Sequence, residues 1–568
     1  MTEPIPPASR YERLTDLLAP GGPGREAAFV RVHADGSHTR LTGAELADKA
    51  PAFGAALAAE LSPGGGLVAG RRVVVACRDQ LAFVTAFTGC LYAGLVPVPA
   101  PGAAHLHRGQ LERLRGILGV ASAAAVVTDT EDLRTPLADL PVPVLTVGQL
   151  RNTAPHASPA VPACEAAYVQ FTSGSVSAPQ PVELTDRHVL AQLRQAAEAF
   201  AETPESVSVN WVPLHHDMGL VTSVLRPLGS GYLSVLLDPF DFVREPARWI
   251  RALTEWRATH TSAPDFGYAL TARKASARGA DLATLRVARS AGEPVRAATL
   301  RAFADAFADA GFDPKAFNPS YGLAEATLTV TACPTGRPPR ILRADTALLA
   351  RGAAVPVSED HRTRTTDIVS CGLPLRGTRI RVLDTDTAAP LPQGRVGEVW
   401  ISGPQVSPTG KGLHVVDGEP GHRTGDMGFV HDGELHLLGR SRERFQVGGE
   451  NFYSGEIEAA ATAADSRLRD GRAAAFLTAP PGGDEPFPVV VAEHRGPVDP
   501  DDPALPEIAA AVVRAVGQRH GLGLRRVCIV PAGTLPVTTS GKIQRTRAQL
   551  RFEDGDLPFL HSFQRGTP

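Results

Sequence analysis

A single lysine near the end of the chain is the first candidate for a catalytic residue. Lys542 lies between Gly541 and Ile543, and it is one of only five lysines among 57 basic residues, so the other 52 are arginines. A lysine ammonium is a compact charge on a flexible stem, and it can contact two oxygens of an anionic reaction centre together. A solvated surface cation is the alternative. The rarity of lysine in this chain favours catalysis.

A second candidate is a hydroxyl-rich stretch that directly follows an apolar run. Residues 168–171 read Tyr-Val-Gln-Phe, and they are followed by Thr172, Ser173, Gly174 and Ser175. Hydroxyl groups and backbone N–H groups at the end of a strand are donors for an anion. The pattern predicts a phosphate-binding loop, with an ordinary serine-rich turn as the alternative.

The adjacent histidines His215 and His216, followed by Asp217, raise the possibility of a metal site. On an extended segment, neighbouring side chains point to opposite faces, and no HExxH or comparable ligand set accompanies the pair. Metal binding is therefore disfavoured.

Generic nucleotide motifs are also missing, because Ile543 replaces the Ser or Thr of a Walker loop and no GxGxxG follows a strand.

Composition excludes several classes of function. The formal net charge of −3 disfavours a polyanion-wrapping nucleic-acid binder and a polybasic membrane arm. Residues 81–107 carry no charged side chain, but Gly94 and the prolines after it favour a buried helix and strand over a membrane span. The acidic, proline-containing N-terminus is unlike a secretory signal. Six cysteines without a CxxC pair favour a reducing, cytoplasmic compartment.

The elements that must position these residues alternate between strands and helices. Such alternation is typical of βαβ units on a mostly parallel sheet, and it predicts an α/β fold. Strands are predicted at 71–77, 95–99, 123–128, 166–172, 207–212, 378–383 and 397–401, and helices at 80–93, 110–121 and 189–201.

The pattern changes close to Gly439, which indicates a domain boundary. The following residues predict a compact α+β unit, with helices at 455–463 and 508–518 and strands at 473–478, 489–493 and 527–530. We therefore expect a large N-terminal α/β body, residues 1–439, and a smaller, mobile C-terminal domain, residues 440–568.

An ordered set of further motifs extends over nearly the whole chain. Together with residues 168–175 it resembles the adenylate-forming superfamily of acyl-CoA synthetases, luciferases and peptide-synthetase adenylation domains. The motifs are AGEP at 291–294, YGLAEAT at 321–327, TGDMG at 424–428, GRSRE at 439–443, GENFY at 449–453 and LPVTTSGKIQR at 535–545.

Within the superfamily, the chain is most similar to the fatty acyl-AMP ligase branch. Three segments carry this resemblance: WVPLHHDMGL at 211–220, SAPDFGY at 262–268 and YGLAEATL at 321–328. Residues 344–357 also resemble the insertion that separates these ligases from their CoA-using relatives.

The resemblance implies that a carboxylate attacks the α-phosphorus of ATP to give an acyl-adenylate and pyrophosphate. It implies roles for the residues that match the family motifs. Thr172, Ser173, Gly174 and Ser175 would bind the β- and γ-phosphates, Glu325 would hold Mg²⁺, and Lys542 would contact the carboxylate and the α-phosphate.

The nucleoside and acyl sites are implied in the same way. Tyr321, with Gly322, would stack on adenine beside Gly292, Glu293 and Pro294, while Asp426 and Arg440 would lie at the ribose. His216 would act as a gate in front of the carboxylate. His215, Asp217, Met218 and Phe266 would line the acyl pocket, and Arg442 and Glu443 would form the hinge.

Two departures from the family pattern concern phosphate binding. After Ser175 the chain reads Val176-Ser177-Ala178-Pro179-Gln180-Pro181, so both expected glycines are absent and Gln180 replaces a lysine. The loop is therefore predicted to be stiffer and to lack a cation. The segment at 404–422 is also shortened before the TGD motif.

The leading hypothesis is an acyl-AMP ligase that transfers its acyl group to the phosphopantetheine thiol of an acyl carrier protein. The pathway class would be lipid, polyketide or nonribosomal-peptide assembly. An acyl- or aryl-CoA synthetase is the alternative enzyme. A catalytically weakened scaffold that binds an adenylate is the alternative of another class, suggested by the altered phosphate loop.

Overall fold

The computed structural model describes residues 11–62, 68–102, 108–151, 165–172, 180–358, 364–408, 412–479, 486–538 and 541–564. The predicted phosphate-binding residues Ser173, Gly174 and Ser175 lie outside these ranges. All other predicted site residues lie within them.

The α-helices are distributed along the whole chain. They are α1 Gly43–Leu61, α2 Gln80–Tyr92, α3 Arg108–Ala121, α4 Val147–Arg151, α5 Asp186–Ala199, α6 Asp217–Leu220, α7 Arg226–Ser230, α8 Pro239–Arg244, α9 Ala247–Glu255, α10 Asp265–Lys274, α11 Ala297–Ala306, α12 Thr346–Ala350, α13 Ser454–Ala463, α14 Ala504–His520 and α15 Arg545–Glu553.

The strands form the sheets on which these helices pack. They are β1 Ala28–Val32, β2 His38–Thr42, β3 Arg72–Val75, β4 Val96–Pro99, β5 Ala125–Thr128, β6 Val144–Thr146, β7 Tyr168–Phe171, β8 Pro181–Leu184, β9 Val207–Asn210, β10 Leu233–Leu237, β11 His260–Ala263, β12 Val287–Ser290, β13 Phe317–Gly322, β14 Thr329–Ala332, β15 Ile341–Asp345, β16 Thr365–Val369, β17 Leu373–Pro374, β18 Arg379–Leu383, β19 Gly397–Ser402, β20 Leu413–Val416, β21 Glu419–His431, β22 Glu434–Arg440, β23 Arg444–Val447, β24 Glu450–Tyr453, β25 Leu468–Thr478, β26 Phe487–His494, β27 Arg526–Val530 and β28 His561–Gln564.

Two sheets confirm the predicted α/β class. A nine-stranded sheet has the order β17-β14-β13-β12-β11-β9-β10-β1-β2, and its six strands from β13 to β1 are parallel. A second sheet, β4-β3-β5-β6, is parallel throughout. Strands β9, β11 and β12 therefore direct their carboxyl ends to one edge, where ligands of open α/β sheets bind.

Two predicted strand assignments need correction. The strands β18 and β19 pair antiparallel in a separate sheet with β20, β21 and β22, because the chain between them contains no crossover helix. Strand β7 pairs antiparallel with β8 in a two-stranded sheet, since the connection at 172–180 is too short for a crossover. Thr172 thus follows a hairpin strand, not a strand of either parallel sheet.

The described part of the uncharged stretch, residues 81–102, is mostly buried inside the fold. Asp79 caps α2 by accepting a hydrogen bond from the Ala82 N–H at 2.8 Å, and the helix is buried on all sides from Gln80 to Cys90. Strand β4 follows it and is also buried. In the part of the chain that the structure describes, no helix has both the length and the apolar character needed to cross a membrane.

The last part of the chain builds its own core. Strands β25, β26, β27 and β28 form a four-stranded sheet. The apolar side chains between this sheet and α13 and α14 form one cluster, and those on the side of α15 form another. Both clusters draw their members only from residues after the Ser441–Glu443 turn.

Candidate functional site

The Lys542 side chain reaches from the C-terminal sheet region to the edge of the nine-stranded sheet. Its Nζ donates a hydrogen bond to the carbonyl oxygen of Gly292 at 2.6 Å. The backbone around it is closed by two bonds, from the Thr538 N–H to the Lys542 carbonyl at 2.7 Å and from the Lys542 N–H to Thr538 Oγ1 at 3.1 Å. The predicted catalytic lysine therefore lies beside a predicted adenine-binding residue.

Four of the other predicted residues lie around Gly292, which belongs to the turn after β12. Gly292 has a φ of +83°, which favours glycine, and a Cβ there would meet only Met218 Cε at 3.8 Å. The Phe266 N–H donates to Glu293 Oε1 at 2.6 Å. Pro294 lies exposed in the same turn. The ends of β11 and β12 and the start of α6 thus converge on this turn.

The two histidines lie closer together than the sequence indicated. The segment before α6 is a turn, and the ring centroids of His215 and His216 are 4.4 Å apart, so the expected opposite orientation is wrong. Gln170 Nε2 donates to the His215 carbonyl at 3.0 Å, which ties this turn to β7. In the described part of the chain, no group of three or more metal-ligating side chains is found.

Burial determines the charge states of these residues. It lowers the pKa of His216 to about 3, with the positive charges of Arg113 and Lys542 adding to the effect, and it lowers the pKa of His215 as well. Burial raises the pKa of Asp217, which Lys542 and Arg289 partly oppose. At neutral pH the His216 ring is neutral, so it adds no charge beside the lysine.

Tyr321, Asp426 and Arg440 form one hydrogen-bonded cluster, which we call the Asp426 cluster. Tyr321 Oη donates to Asp426 Oδ2 at 2.6 Å, and Arg440 Nε lies 3.0 Å from Asp426 Oδ1. Strands β21 and β22 set this geometry, because Asp426 and Arg440 are cross-strand partners. Burial and the Asp426 carboxylate raise the pKa of Tyr321. Both carboxylate oxygens therefore already have a protein donor.

Glu325 is held by a strained turn after β13. Gly322 is required there, because a Cβ would lie 1.8 Å from the Leu328 carbonyl oxygen. Thr327 has a φ of +62°, and the Leu328 N–H donates to the Ala326 carbonyl at 2.6 Å across it, as in a γ-turn. Such strain in a β-branched residue is found mainly at functional sites. Burial raises the pKa of Glu325.

One residue near the phosphate loop was not predicted from the sequence. Arg113 of α3 points its Nη2 at the Thr172 carbonyl, 3.4 Å away, and burial lowers its pKa. The Thr172 N–H in turn donates to the Gln180 carbonyl at 3.1 Å. The available signal was its position one turn before Ile117 on the apolar face of α3, where an arginine is out of place.

The predicted hinge residues lie in the Ser441–Glu443 turn, between β22 and β23. Glu443 Oε1 forms an ion pair with Arg545 Nη1 at 2.8 Å, and its carbonyl accepts from Ser454 Oγ at 2.9 Å. Burial lowers the pKa of Arg442. Since Arg545 follows Lys542 by three residues, the turn is connected to the catalytic-lysine segment through one side chain.

The segment that resembles a family insertion contacts the region after the hinge. It forms the end of β15, helix α12 and the following turn. Asn451 Nδ2 donates to the Ala350 carbonyl at 2.9 Å, and Arg351 pairs with Glu450 at 3.6 Å. Both contacts join the segment to β24.

Comparison with a family model supports the motif-based assignment. Residues 19–409, well over half of the chain, match the model described as AMP-binding enzyme. This range includes every predicted site residue except Asp426, Arg440, Arg442, Glu443 and Lys542.

Characterised relatives and solved structures are similar over most of their lengths. The medium-chain-fatty-acid–[acyl-carrier-protein] ligase JamA of Moorena producens is 32% identical over 86% of this chain and 86% of its own. The long-chain-fatty-acid–AMP ligase FadD32 of Mycolicibacterium smegmatis is 31% identical over 92% of this chain and 90% of its own. A structure from a study of fatty acyl-adenylate ligases of E. coli and L. pneumophila superposes with a TM-score of 0.85, at 27% identity, over 98% of this chain and 99% of its own.

Proposed function

The chain belongs to the AMP-binding enzyme family, and on this premise we propose that it is a fatty acyl-AMP ligase. It would activate a carboxylic acid with ATP, release pyrophosphate and transfer the acyl group to the phosphopantetheine thiol of an acyl carrier protein. The observation that carries the proposal is the Lys542 Nζ, which lies 2.6 Å from the Gly292 carbonyl oxygen and close enough to His216 and Asp217 to influence both pKa values.

Adenylate formation brings two anions together, so the site must neutralise charge where it accumulates. Lys542 supplies a positive charge at the edge of the sheet. The His216 ring beside it is neutral, so it adds no charge to the site. Arg113 supplies a second cation next to Thr172. We include Arg113 among the phosphate-binding residues, where it would compensate for the lysine that Gln180 replaces.

The chain's own residues fit a nucleotide with a magnesium ion. In the residues that the structure describes, no ion pair within 4.0 Å joins Glu325 to a cation, so its partly buried carboxylate is available for Mg²⁺. A single carboxylate suffices, because Mg²⁺ takes most of its other ligands from phosphates and water. Bound Mg²⁺ would neutralise phosphate charge. The Asp426 carboxylate retains acceptor capacity for the ribose hydroxyls.

Pyrophosphate exchange tests the adenylation half-reaction. Lys542→Ala should lose at least 100-fold of the wild-type exchange rate with any accepted acid, in line with the loss of a charge that acts in the transition state. The exposed Lys315 provides the matched control, and Lys315→Ala should exchange like wild type. Background exchange in wild type with every acid tested would favour an adenylate-binding scaffold instead.

The acceptor is tested separately. A carrier protein is supported by the relative JamA, which is an acyl-carrier-protein ligase, and by the contacts of α12 and Arg351 with β24. Wild-type enzyme with acid, ATP and either holo carrier protein or CoA should acylate the carrier by at least tenfold the rate for CoA. Robust acyl-CoA formation would identify a CoA synthetase and contradict this part of the proposal.

We further propose that residues 440–568 rotate about Arg442 and Glu443 between adenylation and transfer. In the part of the chain that the structure describes, the side-chain contacts between the two regions include those of Lys542 with Gly292 and Asn451 with Ala350, the ion pairs of Arg351 with Glu450 and Arg273 with Asp470, and the bond from Arg364 to the Gly517 carbonyl. A rotation would have to break these contacts. Glu443→Pro should spare pyrophosphate exchange and slow transfer to the carrier. Equal loss of both activities would count against the hinge.

The sparse cysteines support a reducing, cytoplasmic location.

A further inference from the structure

A polar cavity lies in the nine-stranded sheet just before the predicted acyl site. Its walls include Ser208 and Asn210 of β9, Thr261 and Ser262 of β11, Arg289 of β12 and Thr222. The same three strands run on into the segments that carry the predicted acyl-pocket and adenine-binding residues, namely 211–218, 263–266 and 291–294. Arg289 partly opposes the effect of burial on the pKa of Asp217, so the charge of Arg289 acts on a residue of the predicted acyl pocket.

Arg289 is a buried cation with unused donors. Its relative exposure is 1%, and its Nη2 donates to Thr329 Oγ1 at 3.0 Å. Within the described ranges, neither Nε nor Nη1 of Arg289 has a hydrogen-bond partner, and Ser208 Oγ in the same cavity has none either. A buried guanidinium that leaves two nitrogens unsatisfied is costly, and most buried polar groups are hydrogen-bonded.

The nearest carboxylate is already occupied by another arginine. Glu202 Oε1 accepts from Arg226 Nε at 2.6 Å and from Tyr232 Oη at 3.1 Å, and all three side chains are buried. Burial lowers the pKa of Arg289 to about 9, and the charge of Arg226 lowers it further, whereas Asp217 and Glu202 oppose this shift. Glu202 thus spends its hydrogen bonds on Arg226 and Tyr232, and it leaves the free Arg289 nitrogens without an acceptor among the described residues.

We propose that Arg289 binds an oxygen acceptor on the acyl chain of the substrate. The acid would carry a hydroxyl, oxo or second carboxylate group that reaches the cavity while its own carboxylate faces Lys542. This inference rests on the proposed adenylation function and narrows its substrate class. A plain alkyl chain would cover the Arg289 nitrogens without satisfying them.

The chemistry of discrimination supports this assignment. A site built to hydrogen-bond a substrate group rejects an analogue that lacks the group far more strongly than an apolar pocket rejects an extra hydroxyl. Planar guanidinium donors suit oxygen acceptors, and carboxylates above all. A hydroxyl, an oxo group and a second carboxylate each supply such an acceptor, so acids that carry any of the three belong to the predicted class.

The test is pyrophosphate exchange with matched acids of equal chain length: an alkanoic acid and its hydroxy, oxo and dicarboxylic analogues, with the oxygen placed at successive carbons. At least one oxygenated acid should exceed the alkanoic acid in kcat/KM by about tenfold or more. Arg289→Met should abolish that preference, and Arg289→Lys should retain part of it. Arg286→Met, at an exposed position just before β12, is the matched control and should keep the wild-type preference.

The outcomes separate the inference from the proposed function. If Arg289→Met unfolds, the wild-type ranking of acids and the Arg289→Lys ranking still decide the question. A wild-type preference for alkanoic acids over every oxygenated analogue, or a preference for the oxygenated acid that is undiminished in Arg289→Met or Arg289→Lys, would overturn the inference and leave adenylation intact. No exchange with any acid would instead overturn the proposed function on which the inference rests.

Discussion

The Asp426 cluster and the polar cavity are both buried and charged, but they differ in how far the protein satisfies its own groups. In the Asp426 cluster each carboxylate oxygen has a protein donor, from Tyr321 or Arg440. In the polar cavity Arg289 and Ser208 keep donors without partners among the described residues. A preorganised site suits a ligand that never changes, such as the nucleotide. An unsatisfied site is completed by a ligand that brings the missing atoms.

The largest expected effect comes from removing Asp426, the central residue of the Asp426 cluster. Asp426→Ala leaves Arg440 and the Tyr321 hydroxyl without their acceptor, and each lost hydrogen bond to a charged group costs about 1.5–3 kcal/mol. Pyrophosphate exchange should therefore fall at least 100-fold for every acid, with the order of acids unchanged. The exposed Asp417 offers a control, and Asp417→Ala should behave like wild type. A changed order of acids would show that the Asp426 cluster also influences the choice of acid, and it would contradict the assigned division between the two regions.

A smaller change to the same cluster should act on ATP alone. Tyr321→Phe keeps the aromatic ring but removes the 2.6 Å hydrogen bond to Asp426. A hydrogen bond to a charged group contributes about 1.5–3 kcal/mol, so the KM for ATP should rise by about tenfold or more. Steady-state kinetics with ATP and acid varied in turn will check this. An effect on the KM of the acid instead would contradict the assignment of Tyr321 to the nucleotide side.

His216 lies between the two regions and gives a pH-dependent prediction. Its folded-state pKa of about 3 is below the ordinary value of 6.5, so the unfolded chain binds the proton first as the pH falls. The free energy of unfolding should therefore decrease below pH 6.5, and this residue should contribute about 1–2 kcal/mol of the loss at pH 5. The measurement is thermal unfolding from pH 7.5 to pH 5, and the decrease should be smaller in His216→Gln than in wild type.

The exposed His38 supplies the control for that measurement. His38→Gln should follow the wild-type pH dependence. An equal decrease in wild type and His216→Gln would show that the His216 ring is not held neutral by burial.

The smallest expected effects concern two hydroxyl groups that line the polar cavity, those of Ser208 and Thr261. Ser208 Oγ has no partner within the described ranges, so Ser208→Ala should leave the free energy of unfolding unchanged or raise it by up to about 1 kcal/mol. Thr261 Oγ1 donates to the Val209 carbonyl at 2.6 Å and accepts from Trp249 Nε1 at 3.1 Å. Thr261→Val should therefore lower the free energy of unfolding by about 1–2 kcal/mol in the same thermal assay. Equal losses would show that Ser208 is satisfied after all.

Much of the fold follows from patterns that are local in the sequence. Residues 72–75 and 207–210 form parallel strands in two different sheets. Strands of parallel sheets are covered on both faces, and the valine-rich composition of these segments already indicates such strands. The pairing of β7 with β8 and of β18 with β19 was misjudged. Strand direction depends on what connects the strands and on which sheet they join, and the pattern of the strand itself does not contain that information.

For the site, the motifs located most of the residues that the structure brings together. Lys542 and Gly292 are 250 positions apart in the chain and are joined by a hydrogen bond. Arg113 and Arg289 belong to no motif, and they were missed for that reason. Each nevertheless left a signal, because an arginine on the apolar face of α3 or in the middle of the buried strand β12 must have a reason to be there.

The sequence by itself determined the α/β class, the family resemblance and the identity of the lysine with which adenylation is proposed, because these depend on periodicity and on residue types at short spacing. Only the tertiary structure decided which polar groups are satisfied. Asp426 gains its donors from β13 and β22, whereas Arg289 finds a single hydroxyl from β14. Hydrogen bonds and burial join atoms that are distant in the chain, so the donors left over for a ligand become visible only when the strands are assembled.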